Sequence, residues 1–124
     1  MHTVEIPRRD WTIRLDEFSR AHEGWPVSLD ILAPLLGAQS EFRQLSLAGI
    51  TAEPSGEGTI SITVAVPGGF LSHTIHAPVH VFVEKDAASE AAVEIESADG
   101  TKAILQFRIG AAVSGLNRGR CGEQ

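Results

Sequence analysis

Three of the chain's five histidines fall within nine residues, in the stretch SHTIHAPVH from Ser72 to His80. On a helix, His73, His76 and His80 stand at i, i+3 and i+7 and share one face, a spacing that suits zinc or another divalent cation. Pro78 opposes a helix, because an interior proline costs about 3 kcal/mol. Val79, Val81, Phe82 and Val83 favour a strand. In an extended chain His73 and His76 point to opposite faces. His76 and His80 then share a face but stand about 13 Å apart, against Zn–N bonds of about 2.0–2.1 Å. Only a kink at Ala77-Pro78, or His22 arriving from elsewhere, would gather the rings. The stretch is therefore expected to be a bent lead-in to a strand. His73, His76 and His80 are kept as candidates for a metal or small-ligand site. A cluster of histidines would also make any interface it enters pH-sensitive.

Other reactive residues lack the neighbours their chemistry needs. Ser72 adjoins His73, but sequence neighbours on a strand diverge, and a serine nucleophile needs a base and an orienting group. No G-x-S-x-G elbow is present. Cys121 is the single cysteine and has no evident base, so no disulfide framework or cysteine-based zinc site forms within one chain. The loops Pro67-Gly68-Gly69 and Pro54 to Gly58 lack the lysine and the strand-to-helix setting of a phosphate cradle. Glu94 and Glu96, with Glu84 nearby, read as a solvated face rather than a hydrolytic pair. No catalytic residue and no cofactor are assigned, and the balance leans away from an enzyme. Trp25 beside Pro26 and Phe70 beside two glycines are the candidates for an exposed apolar contact patch.

The elements that would carry these residues can be read from periodicity. Residues 1–9 look like an extended lead-in, and Asp10 suits a helix N-cap. Trp11, Leu15, Phe18 and His22 form one helical stripe, which predicts an amphipathic helix over about 11–22, stopped at Gly24. From Trp25 the period changes to two: Val27, Leu29 and Ile31 oppose Ser28 and Asp30. The segment APLLGAQ is expected to be a turn or an irregular piece. In EFRQLSLAGITAE the apolar phase changes at Gly49, which predicts a bulge or bend there. TISITVAV is the clearest strand, and VHVFVEKD is another.

AVEIESADGTKAILQF reads as a hairpin whose register can be argued. A two-residue loop at Asp99-Gly100 mixes the faces. A three-residue loop, Ala98-Asp99-Gly100, sets Ile95 opposite Ala103 and Val93 opposite Leu105, so apolar partners share a face. Gly100 then takes the left-handed position. One helix followed by five to seven short antiparallel strands implies an α+β, mostly β fold: a small open barrel or roll. The globular domain is expected over 1–109, with a flexible tail over 110–124.

Bulk properties narrow the function classes. The chain has 124 residues, 43% of them apolar, which fits one domain with its own core. The net charge is -6, and the arginines near each end read as solvated surface, so a nucleic-acid partner is not expected. No run approaches the ~18 apolar residues of a membrane helix, so no membrane partner is expected either. The opening MHTVEIPRRDW has no apolar leader, and a cytoplasmic location is expected.

The stretches DEFSRAHEGW, LDILAPLLGAQ, LAGI and VEIESADGTKAILQF resemble a family of small bacterial proteins, a domain of unknown function. The resemblance covers roughly residues 5–108. It implies a compact bacterial domain and assigns no residue a role. Two functions follow from the residues themselves. The first is a non-catalytic protein-interaction or self-association module. The alternative is a small-ligand- or metal-binding domain with its site near His73, His76 and His80.

Overall fold

The computed structural model describes residues 2–53, 55–85 and 90–107. Strand β1 (His2–Ile6) leads through a 3-10 turn (Arg8–Asp10) into helix α1 (Trp11–Ala21). Seven strands follow: β2 (Pro26–Ala33), β3 (Gly37–Glu53), β4 (Thr59–Val66), β5 (Gly69–His76), β6 (Pro78–Lys85), β7 (Glu90–Ser97) and β8 (Lys102–Phe107). All eight lie in one antiparallel sheet of order β1-β6-β7-β8-β2-β3-β4-β5. The five to seven strands expected are thus eight among the described residues. The added strand is β1, which the lead-in forms by pairing with β6, Ile6 opposite Val81. The segment APLLGAQ is mostly strand, with only Pro34 to Leu36 as the turn between β2 and β3. The tail expected over 110–124 lies outside the described residues.

The sheet curls strongly. β5 and β6 are joined through Ala77 alone, yet they stand six places apart in the sheet order. Six strand spacings in a flat sheet come to roughly 29 Å, whereas one residue spans about 3.5 Å. Ala77 makes the corner with a positive φ of 51°, and its N–H donates to the Gly58 carbonyl at 3.1 Å. The sheet is not closed, because β1 and β5 do not pair with each other.

β3 bends as well. Its first half pairs with β2 and its second half with β4. Register shifts interrupt the β2 side twice, and the residue Gln44 has a φ of 57°. The Ser28 hydroxyl accepts the Gln44 N–H at 3.0 Å, so the bulged backbone is satisfied. A further shift between Leu47 and Gly49 places Leu47, Ile50 and Ala52 in the core together. This is the phase change expected at Gly49.

α1 lies against the second half of β3. Trp11 and Leu15 are fully buried, and the Trp11 indole N–H donates to the Ile6 carbonyl at 2.9 Å. Asp10 occupies the N-cap position, but its side chain makes no capping bond. The preceding 3-10 turn holds the helix start instead, with the Asp10 N–H donating to the Pro7 carbonyl. At the other end His22 is 3% exposed and stacks on Phe18 at 4.3 Å, beside Trp25 and Phe107. The His22 Nδ1–H donates to the Phe18 carbonyl at 2.9 Å.

The β7–β8 hairpin turns through a three-residue loop, as expected. The Ser97 N–H donates to the Thr101 carbonyl at 2.8 Å, and Gly100 has a φ of 90°. Ile95 faces Ala103 and Val93 faces Leu105. All four are buried in a core that runs from Ile6 on β1 to Ile75 on β5.

Candidate functional site

The corner at Ala77 decides where the histidines go. His73 faces Ile62 across the β4–β5 ladder, on the face that carries buried Ile60 and Ile75. It is half-buried, and its Nδ1 lies 3.6 Å from a Glu41 carboxylate oxygen. His76 is one residue past Ile75 and exposed. His80 stands beyond the corner on the outer face of β6. There its Nδ1 bonds Glu5 Oε2 at 2.7 Å and its ring stacks over Phe82. The kink is real but sends His80 away from the other two. Among the described residues, no three His, Cys, Asp or Glu side chains converge where a metal ion could bind. The metal reading of His73, His76 and His80 is corrected accordingly.

His73 and His76 do share a cavity of about 180 Å³ at the open corner of the sheet. Its walls are Ile31, Ile75 and Ala103, and its rim is His73, His76, Asp99 and Thr101. Asp99 accepts the Thr101 N–H at 2.9 Å. Hydrogen bonds from the Thr101 backbone and side chain hold its carboxyl below the usual value of 3.8. The loop is tied to the corner by the Ala98 N–H, which donates to the Ala77 carbonyl at 2.9 Å. Sequence reasoning missed this rim. Asp99 and Thr101 announced a turn, and nothing local to them says which strand the turn meets.

The Ser72 hydroxyl shares a hydrogen bond with Thr63 at 2.7 Å, across the outer face of β4 and β5. Ser61 and Thr74 make a parallel contact at 3.2 Å. Glu84, Glu94 and Glu96 lie on the outer face of β6 and β7, the face of His80 and Phe82. Cys121 lies outside the described residues.

The two aromatic candidates separate. Trp25 is partly buried and packs on the core beside His22 and Phe107. Its backbone continues the β2–β3 pairing, with the Leu47 N–H donating to the Trp25 carbonyl at 2.9 Å. Phe70 is 72% exposed on β5, and its neighbour Leu71 is 45% exposed. β3 and β4 lie between β2, which Trp25 leads into, and β5, which carries Phe70. Phe70 and Leu71 sit in a run, bracketed by Glu57 and Glu84, that contains no Asp, Glu, Lys or Arg. This run comprises all of β4 and β5 and most of β6.

A family model described as a family of unknown function, DUF5335, matches residues 2–114, a span that takes in all of these elements. The chain belongs to this family. It is also similar to an uncharacterised protein of Aquifex aeolicus strain VF5. The two are 24% identical over 108 residues, covering 87% of this chain and 94% of that protein. No solved structure matches the chain significantly. Membership of DUF5335 carries no activity with it, so function has to be argued from the sites themselves.

Proposed function

We propose that this DUF5335 chain is a non-catalytic contact module, a small open barrel that engages a partner through the free edge of β5. The observation that carries this reading is the edge itself. Among the described residues β5 pairs only with β4, and its sequence GFLSHTIH has no proline and no formal charge. Proteins that keep edge strands solitary place Lys, Pro or bulges on them. β5 has none of these and adds Phe70, exposed, at its start. We place the module in the bacterial cytoplasm, a compartment that suits a chain whose single cysteine is Cys121.

A photo-reactive amino acid at Phe70 tests the reading in living cells. Adducts are expected there and not at Ile13, which is 64% exposed on α1. Equal yields at the two positions, or none at either, would sink it.

A second reading, a small polar ligand at the mouth, is favoured by the cavity that His73, His76 and Asp99 share. A thermal-shift screen with small polar metabolites tests it. A hit that survives in His73→Ala and His76→Ala variants would remove it.

A further inference from the structure

We infer that the partner of the β5 edge is a second copy of this chain, joined by antiparallel β5–β5 pairing about a two-fold axis at His73. The inference rests on the contact reading above and adds the occupant and the register.

The register follows from the hairpin. β4 and β5 are joined by the two-residue turn Pro67-Gly68, so Val66 and Gly69 form a hydrogen-bonded pair. That phase continues along the ladder to the far end, where the Ala77 N–H donates to the Gly58 carbonyl. Gly69, Leu71, His73 and Ile75 therefore turn their main-chain groups toward β4. Phe70, Ser72, Thr74 and His76 turn theirs outward, where no other strand among the described residues pairs with them.

A two-fold axis perpendicular to the sheet maps hydrogen-bonded pairs onto hydrogen-bonded pairs. One residue must then face its own copy. With His73 opposite His73, Phe70 faces His76 and Ser72 faces Thr74 in both directions. All four outward residues of each strand are paired, about eight hydrogen bonds in total. Centring on Ser72 or Thr74 leaves His76 or Phe70 without a strand partner. The side chains agree with the His73 register. Leu71, left 45% exposed within one chain, faces Ile75 of the other copy on the inner side. Ser72 and Thr74, already in a hydroxyl ladder, face each other on the outer side.

Charge selects the same occupant. The chain carries a net charge of -6, so two copies repel wherever acidic surface meets acidic surface. The charge-free run between Glu57 and Glu84 is where two copies approach without placing like charges opposite one another. Glu41, the acidic group beside His73, stands across the mouth on β3, outside the paired strands.

The test uses the full chain in a Cys121→Ser background with single cysteines on β5. In the His73 register, His73→Cys stands opposite itself at a non-hydrogen-bonded position, where Cβ atoms approach to about 4.5–5.5 Å, near disulfide range. Oxidation is expected to give a covalent dimer with His73→Cys and little with Ser72→Cys or Thr74→Cys. Sedimentation equilibrium of the wild type is expected to give twice the chain mass of 13.2 kDa. Thr74→Pro removes one outward N–H without touching the β4 ladder, and it is expected to remain folded by circular dichroism and to sediment as a monomer. A wild type that stays monomeric to about 1 mM, or preferential cross-linking of Ser72→Cys, overturns the inference. Phe70 adducts in cells to a different protein, with a monomeric wild type in vitro, overturn the second copy while leaving the contact reading in place.

Discussion

Ser19 fastens α1 to the sheet through one hydroxyl. Its oxygen accepts the Ile50 N–H at 2.7 Å and donates to the Leu15 carbonyl at 2.8 Å, with the Ile50 carbonyl at 3.1 Å. Ile50 lies just past the bulge on β3, where β2 no longer pairs with that edge. Ser19→Ala leaves the Ile50 N–H buried and unpaired, and a cost of about 2 kcal/mol is expected. Urea unfolding checks it, with Thr12→Ala on the same helix as a comparison that should change little. Asp99 gives a pH prediction. Its folded pKa is lowered from the usual 3.8, so it contributes stability above that unfolded value and loses it as pH falls through the folded value. Asp99→Asn keeps an acceptor for the Thr101 N–H but cannot titrate. The wild type is therefore expected to lose more stability than Asp99→Asn between about pH 5 and pH 2, read as the shift in urea midpoint.

At the scale of elements, two turns depend on left-handed backbone and respond in opposite senses to substitution. Gly100 takes φ 90°, and a Cβ there would stand 3.2 Å from the Pro34 side chain. Gly100→Ala is expected to cost about 1–2 kcal/mol. Ala77 holds φ 51° at the corner without being glycine. Ala77→Gly removes that strain against a smaller entropic penalty, for a net gain of about 0.5–1 kcal/mol. Thermal unfolding of both variants checks the opposite signs. These turns also mark where sequence reading works. The three-residue loop was legible because cross-strand apolar partners had to share a face, a constraint internal to one hairpin. The bulge at Gly49 was legible for the same reason. The corner was only half legible: Pro78 signalled a break, but its direction is set by the Gly58 and Ala98 contacts, which come from other hairpins. β1 was not legible, because a short segment with Ile6 as its one buried residue among Thr3 to Ile6 becomes a strand only by pairing with β6 some 75 residues later. Among site residues, Phe70 stood out through the two glycines that precede it. The mouth did not, since Asp99 and His73 meet only through the curl of the sheet.

At the scale of the molecule, the distribution of charge makes a prediction that separates edge pairing from other modes of association. A surface joined by ion pairs weakens as salt is added, because screening reduces each attraction. In the β5–β5 dimer inferred above, two copies would instead carry net repulsion, with the charge-free β4–β5 hairpin of each between them. Main-chain hydrogen bonds and the Leu71–Ile75 contact are insensitive to salt at these concentrations, while the repulsion between bodies of charge -6 is screened over about 10 Å at 0.1 M. Association is therefore expected to tighten between about 20 and 300 mM NaCl, by roughly two- to tenfold in the dimer dissociation constant, a gain of about 0.4–1.4 kcal/mol. Sedimentation equilibrium at the two salt concentrations reads this directly. A dimer that loosens with salt would be held by ion pairs, and the outer face of Glu5, Glu84, Glu94 and Glu96 opposite a basic surface of the other copy would then replace β5 as the contact. Repeating the series with Ser72→Glu distinguishes the two. One residue from His73, the added carboxylate of each copy stands diagonal to its counterpart beside the axis, so dimerisation is expected to fall at low salt and recover in part at high salt, whereas a contact on the β6–β7 face would be unaffected.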